Sequence, residues 1–119
     1  TVLGCGGDRD AAKRPEMGRA GAEDSDILLV TDDNPRSEDP AVIRAAMMQG
    51  ALQIDDGVVV EEIDGRRDAI NRALEMADGS SVVAILGKGH EQGQQVGDRI
   101  YPFDDAVEAL RAWDRVQGG

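Results

Sequence analysis

The run Asp26-Ile27-Leu28-Leu29-Val30-Thr31 constrains this chain more than any other feature, because its apolar residues do not alternate with polar ones. A short continuous apolar run reads as a strand buried on both faces, as in a parallel sheet with helices on either side. Residues 1–5, 57–62 and 81–86 repeat the pattern. Between these strands the apolar residues recur at helical spacing. One helix is predicted with Pro15 in its first turn, running to about residue 22 and packing through Met17, Ala20 and Gly21. A second starts near Pro40 with Asp39 as N-cap, and its stripe is Val42, Ile43, Ala46, Met47, Gly50 and Ala51. A third covers 68–77, and a fourth, capped by Asp104, holds Ala106, Val107, Leu110 and Trp113. Gln94-Gln95-Val96 and Arg99-Ile100-Tyr101 flank Gly97-Asp98 and read as a β-hairpin.

This alternation predicts an α/β fold: a three-layer, Rossmann-like domain with an open, mostly parallel sheet and a C-terminal β-hairpin. The 119 residues suit one domain, 1–119, and no linker or internal repeat divides them. Aromatic residues make up only 3%, so the core must be aliphatic. The 13 lysines and arginines against 24 aspartates and glutamates leave a net charge of −11, a field that repels nucleic acid and anionic membranes. One cysteine, Cys5, excludes an internal disulfide and reads as a small buried side chain. No run is apolar for long enough to span a bilayer and no signal peptide is visible, so the cytoplasm is the expected compartment. The chain enters its first strand without a lead-in, which suggests a piece excised from something longer.

In a parallel sheet, ligands collect beyond the carboxyl ends of the strands. Three polar loops follow strands: Gly6-Gly7-Asp8-Arg9-Asp10, Asp32-Asp33-Asn34-Pro35-Arg36 and Gly87-Lys88-Gly89-His90-Glu91. Asp33 offers a carboxylate for an ammonium group, Asn34 a donor and an acceptor, and Arg36 a fork that binds a carboxylate in two places. Taken alone, this loop reads more readily as an ordinary turn, since Asp, Asn and Pro are all turn residues. Arg9 could neutralise an anion, or simply pair with a neighbouring aspartate. Gly87-Lys88-Gly89 lacks the spacing of a phosphate-binding loop, and a lone histidine, His90, gives no metal-ligand pattern. Together the loops supply the arginines Arg9 and Arg36 and the candidate carboxylates Asp33 and Glu91 at one sheet edge, a balance suited to a zwitterion with more than one carboxylate.

Four runs occur in order: Gly4-Cys5-Gly6-Gly7-Asp8-Arg9-Asp10, Lys13-Arg14-Pro15-Glu16-Met17-Gly18, Thr31-Asp32-Asp33-Asn34-Pro35-Arg36 and Gly87-Lys88-Gly89-His90-Glu91. The set closely resembles the C-terminal, amino-acid-recognition domain of the Mur ligases. Within that family it resembles the branch that adds meso-diaminopimelate to UDP-N-acetylmuramoyl-L-alanyl-D-glutamate in peptidoglycan synthesis. The resemblance covers nearly the whole chain. It implies that Arg9 contacts a diaminopimelate carboxylate and that Asp33, Asn34 and Arg36 bind the distal end of the amino acid. It implies backbone contacts from Gly87 and an ammonium contact from Glu91. In this family the arginine of Asp-Asn-Pro-Arg separates diaminopimelate from lysine, which has no distal carboxylate to pair with Arg36.

The family reaction is ATP-dependent: the γ-carboxylate of the D-glutamyl residue is phosphorylated, the amine attacks the acyl phosphate, and phosphate leaves. This domain's expected share is orientation of the amine. No catalytic residue and no metal site are expected in this chain. ATP and Mg2+ belong mainly to a domain absent here, as does the binding of the UDP-N-acetylmuramoyl-dipeptide, because no Walker-type loop occurs. The strand and helix that usually open the family's C-terminal domain are also missing. The chain alone is therefore expected to lack ligase activity. The competing expectations are a stand-alone amino-acid-binding module and a structural domain without catalysis.

Overall fold

The computed structural model describes residues 1–88 and 91–118. Strands and helices alternate as β1 (Val2–Cys5), α1 (Lys13–Glu23), β2 (Ile27–Asp32), α2 (Pro40–Ala51), β3 (Val59–Glu62), α3 (Arg66–Met76) and β4 (Ile85–Leu86). A hairpin, β5 (Gly93–Val96) and β6 (Arg99–Pro102), and a last helix α4 (Asp105–Gly118) follow. The four-stranded sheet has the order β3-β2-β1-β4 and every pairing in it is parallel. The expected α/β architecture, with its separate antiparallel hairpin, is what the chain adopts.

The central run does have two buried faces. Leu28 and Val30 join Leu3, Cys5, Ala22, Ile43, Met47 and Ala51 on the side of α1 and α2. Leu29 turns the other way and packs with Val2, Ala69, Ile70, Phe103 and Ala112 on the side of α3 and α4. Period-2 alternation of Cβ directions thus feeds two aliphatic layers from one strand. Asp39 caps α2, accepting a bond from the Ala41 amide at 2.9 Å. Asp104 caps α4, accepting from Ala106 at 2.9 Å and Val107 at 3.3 Å.

Several expectations need correction. In α1 the buried residues are Arg14, Gly18 and Ala22, while Met17 and Ala20 are exposed and Gly21 is half-buried. The reason is the close approach of α1 to α2. A Cβ at Gly18 would collide with the Met47 carbonyl, and one at Gly50 with the Pro15 carbonyl. In the α2 stripe, Val42 is exposed. The third strand begins at Val59, not at residue 57, and α3 begins two residues early, at Arg66. The strand expected over 81–86 shrinks to Ile85–Leu86, because only Val2 and Leu3 of β1 pair with it. The α4 stripe is reversed: Val107, Leu110 and Trp113 are exposed, and Ala106 is too. The inward face instead carries Asp105, Glu108 and Ala112, and the two acids pair with Arg66 and Arg67 of α3.

Because backbone meets backbone at the α1–α2 crossing, Gly50→Ala is expected to destabilise the chain by about 1–3 kcal/mol, the usual range for overpacking. Urea denaturation measures this. A loss below about 0.5 kcal/mol would show that the two helices separate freely.

Candidate functional site

Parallel pairing brings the ends of β1, β2 and β4 to one edge of the sheet. There a cleft of about 320 Å³ is lined by Gly4, Gly6, Arg9, Lys13, Arg14, Asp33 and Gly87, among others. Arg9 is exposed and its guanidinium makes one long contact, 3.4 Å, to the Asp8 carbonyl. Gly87 has φ +113°, and an added Cβ would meet the Gly4 carbonyl at 3.3 Å. Its lack of a side chain keeps the cleft open beside Asp33.

The first two loops are stitched together. The Gly7 amide donates to the Asn34 carbonyl at 2.7 Å, and Arg36 Nη1 donates to the Gly7 carbonyl at 2.8 Å. Ser37 Oγ donates to Asp8, and the Asp8 amide donates to Glu38 Oε2 at 2.7 Å. Asp8 and Arg36 are the two non-glycine residues described with positive φ, +53° and +51°. That conformation is uncommon outside glycine, so the stitching holds both loops against a local backbone preference. Arg36 is further clamped by the hairpin: its amide donates to Gln95 O at 3.0 Å, and its carbonyl accepts from the Gly97 amide.

Behind the loops stands a charged framework. Asp32, 9% exposed, accepts from Arg44 Nη1 at 2.6 Å and from the Gly65 amide at 2.9 Å. Arg14 is 4% exposed and donates to both oxygens of Glu38. Those bonds, with the one from the Asp8 amide, hold the Glu38 carboxyl below its ordinary value of 4.5. The Cys5 thiol is pushed up to about 11, first by burial and then by Asp33, with Arg14 opposing. A thiol so placed is inert at neutral pH, as a small core side chain would be.

The depressed Glu38 carboxyl stabilises the fold where it is ionised in both states. That contribution is complete above about pH 4.5 and fades as pH falls through the lower folded value. The stability gap between the native chain and Glu38→Gln is therefore expected to be open at pH 7 and to narrow below about pH 4. Urea titrations at several pH values follow it, and a gap independent of pH would contradict the Arg14–Glu38 assignment.

The structure gathers the six residues singled out from sequence unequally. Arg9, Asp33 and Gly87 line the cleft. Asn34 and Arg36 sit beside it, engaged with Lys88, Gln95 and Gly7. Glu91 is exposed, its amide donating to the Lys88 carbonyl at 3.1 Å. Gly89 and His90 lie outside the described residues. Two buried polar atoms at the cleft have no hydrogen-bond partner among the described residues: a donor, Arg14 Nε, and an acceptor, Asp33 Oδ1. Sequence reasoning did not single out Lys88, Gln94 or Gln95 as part of the site. Lys88 lies inside a quoted motif, but nothing in a motif shows that an ammonium is buried.

This strand order, with cations and a carboxylate around one edge cleft, defines an α/β domain with a charged cleft at the carboxyl ends of its strands. The profile described as Mur ligase, glutamate ligase domain matches residues 1–89, so the chain belongs to that family. A relative from Caulobacter vibrioides, a UDP-N-acetylmuramoyl-L-alanyl-D-glutamate--2,6-diaminopimelate ligase, is 50% identical over 97% of this chain and 22% of its own length. The protein of the same description from Listeria innocua is 47% identical over 98% of this chain and 23% of its own. A solved structure of a ligase of the same description superposes with a TM-score of 0.90 at 44% identity, covering 99% of this chain and 24% of the solved one. The chain thus spans about a fifth of the length of the curated relatives it matches.

Proposed function

We propose that residues 1–119 form the amino-acid-recognition domain of a cytoplasmic, ATP-dependent ligase that adds meso-diaminopimelate to UDP-N-acetylmuramoyl-L-alanyl-D-glutamate. The observation that carries this reading is the pairing of unsatisfied groups in one cleft. Among the described residues, Asp33 Oδ1 accepts no hydrogen bond and has only the Lys88 ammonium nearby, at 3.2 Å, while exposed Arg9 and Lys13 present cations across the same cleft. Buried polar atoms are nearly always hydrogen-bonded, so an unbonded carboxylate oxygen across a cleft from exposed cations points to a ligand carrying both signs. Diaminopimelate, with two ammonium and two carboxylate groups, answers both, and relatives of about 50% identity carry its name.

In this reading Asp33 receives an ammonium group, Arg9 a carboxylate, and Arg36 the distal carboxylate. Asn34 orients the distal end, Gly87 allows close approach of the ligand, and Glu91 assists at an ammonium. Their work is binding and orientation, which brings the nucleophilic amine to its partner in a fixed geometry. The described residues contain no group of three or more His, Cys, Asp or Glu side chains placed to hold a metal ion. Mg2+, the nucleotide and the UDP-linked dipeptide belong, in this reading, to the remaining four-fifths of the ligase. Among the described residues no helix is long and apolar enough to cross a membrane.

The test is a competition. The ligase carrying this chain, given ATP, the UDP-linked dipeptide and equal diaminopimelate and lysine, is expected to yield almost entirely the diaminopimelate product by mass spectrometry. Dominant lysine addition, or no addition of either, would overturn the reading.

A further inference from the structure

Lys88 is a fully buried charge at this edge: its side chain is 0% exposed. An ammonium group in such a place must be surrounded by acceptors or it would not remain there charged. Its Nζ donates to Asn34 Oδ1 at 2.7 Å and to the Gly93 carbonyl at 2.7 Å. It also lies 3.2 Å from Asp33 Oδ1, near enough for charge attraction, though that oxygen counts no hydrogen bond because the direction is poor. Three oxygens from two segments, the loop after β2 and the start of the hairpin, thus converge on one ammonium.

The consequence falls on Asn34. Its side-chain oxygen accepts from Lys88 Nζ and also from the Gln95 amide at 3.0 Å. Two donors on one atom settle which end of the amide is oxygen, since the NH2 group cannot accept from either. The NH2 end is thereby turned away from Lys88. The same hairpin grips the loop backbone on either side, through Gln94 Nε2 to the Asp33 carbonyl at 2.7 Å and through Arg36 to Gln95.

We propose that Lys88 is a positioning residue for amino-acid recognition: its buried ammonium sets the orientation of the Asn34 amide and the place of the Asp33 carboxylate without touching the ligand. This rests on the proposed reading of the cleft as an amino-acid site. Lys88 exposes no side-chain surface, so it has none to offer a bound molecule. It acts through the two residues it holds. Removing it leaves Asn34 with one donor instead of two and leaves Asp33 without its nearest cation, so both become free to adopt other rotamers.

The experiment uses the complete ligase carrying this chain, with Lys88→Met, Lys88→Gln and Asn34→Ala, and Lys88→Met combined with Asn34→Ala. Lys88→Met is expected to raise the KM for diaminopimelate by about 10- to 100-fold, the range for losing a hydrogen bond to a charged group. The KM values for ATP and for the UDP-linked dipeptide should stay within about twofold, because neither is held by this loop. Lys88→Gln, which keeps one donor toward Asn34, should fall between. The double variant should be little worse than Asn34→Ala alone, since residues acting through one another are not additive. Equal increases in all three KM values, or full additivity in the double variant, would overturn the proposal. So would loss of the folded enzyme in both the Met and the Gln variants, which would make Lys88 a residue of stability alone. A native enzyme that prefers lysine would instead overturn the reading of the cleft, and this proposal with it. A native enzyme that prefers diaminopimelate beside unaltered Lys88 variants would overturn only this proposal.

Discussion

Arg36→Lys is expected to lower the preference of the ligase carrying this chain for diaminopimelate over lysine by about 10- to 100-fold, the equivalent of a charge-assisted hydrogen bond of about 1.5–3 kcal/mol. The geometry explains why a cation of equal charge fails. Arg36 Nη1 is already committed to the Gly7 carbonyl at 2.8 Å, where it ties the first loop to the second. The guanidinium fork has further N–H groups to offer a carboxylate. A lysine ammonium carries its three N–H groups on one nitrogen, so it cannot hold the Gly7 carbonyl and also span both oxygens of a carboxylate. Its single nitrogen cannot reproduce the planar fork, so either the loop or the carboxylate loses its partner. The backbone at position 36, with φ +51° and both polar groups bonded to the hairpin, is independent of the side chain. The loss should therefore appear mainly as a raised KM for diaminopimelate rather than as unfolding. The ratio of kcat/KM for the two amino acids measures it, and an unchanged ratio would remove Arg36 from the distal subsite.

Asp105→Ala is expected to cost about 3–5 kcal/mol of stability, the range for leaving one member of a buried ion pair alone. Arg66 has a side chain 0% exposed and that of Asp105 is 8% exposed. The pair is bidentate, with Nε to Oδ1 at 2.8 Å and Nη2 to Oδ2 at 2.7 Å. Arg66 also donates to the Asp32 carbonyl at 3.2 Å and to the Leu86 carbonyl at 3.1 Å. One guanidinium thus joins α3, α4 and the carboxyl ends of β2 and β4, just behind the cleft. Without Asp105 it would be left buried with two carbonyls and no counter-charge. For a domain whose whole stability is about 5–15 kcal/mol, that is a large fraction. Replacing both partners together, Arg66→Met with Asp105→Leu, should recover much of the loss, because no charge then remains to desolvate. Thermal and urea unfolding of the 119-residue chain would report both variants. A change under about 1 kcal/mol for Asp105→Ala would show that water reaches the pair.

These two effects mark where the sequence could be read and where it could not. The run at 26–31, the caps Asp39 and Asp104 and the hairpin around Gly97 are local signals, and each reappears in the structure within a residue or two. Local signals survive because backbone geometry and nearest-neighbour bonding produce them. The faces of α1 and α4 were misjudged because burial there is set by partners distant in sequence. Gly18 is inward because α2 crosses at that point, and Asp105 and Glu108 are inward because Arg66 and Arg67 meet them. An apolar stripe such as Val107, Leu110 and Trp113 says only that a face could be buried.

The same division holds at the cleft. Sequence alone determined that Asp33-Asn34-Pro35-Arg36 follows a strand buried on both faces, and that Arg9 and Gly87 follow strands of the same sheet. Parallel connection does the rest, since it sends every such loop to one edge. Only the tertiary structure decided what each residue has left to give. Asn34 Oδ1 is spent on Lys88 and Gln95, Arg36 Nη1 is spent on Gly7, and Asp33 Oδ1 accepts no hydrogen bond among the described residues. A residue type lists the bonds a side chain can make; packing partners far along the chain determine which of them remain free for a ligand.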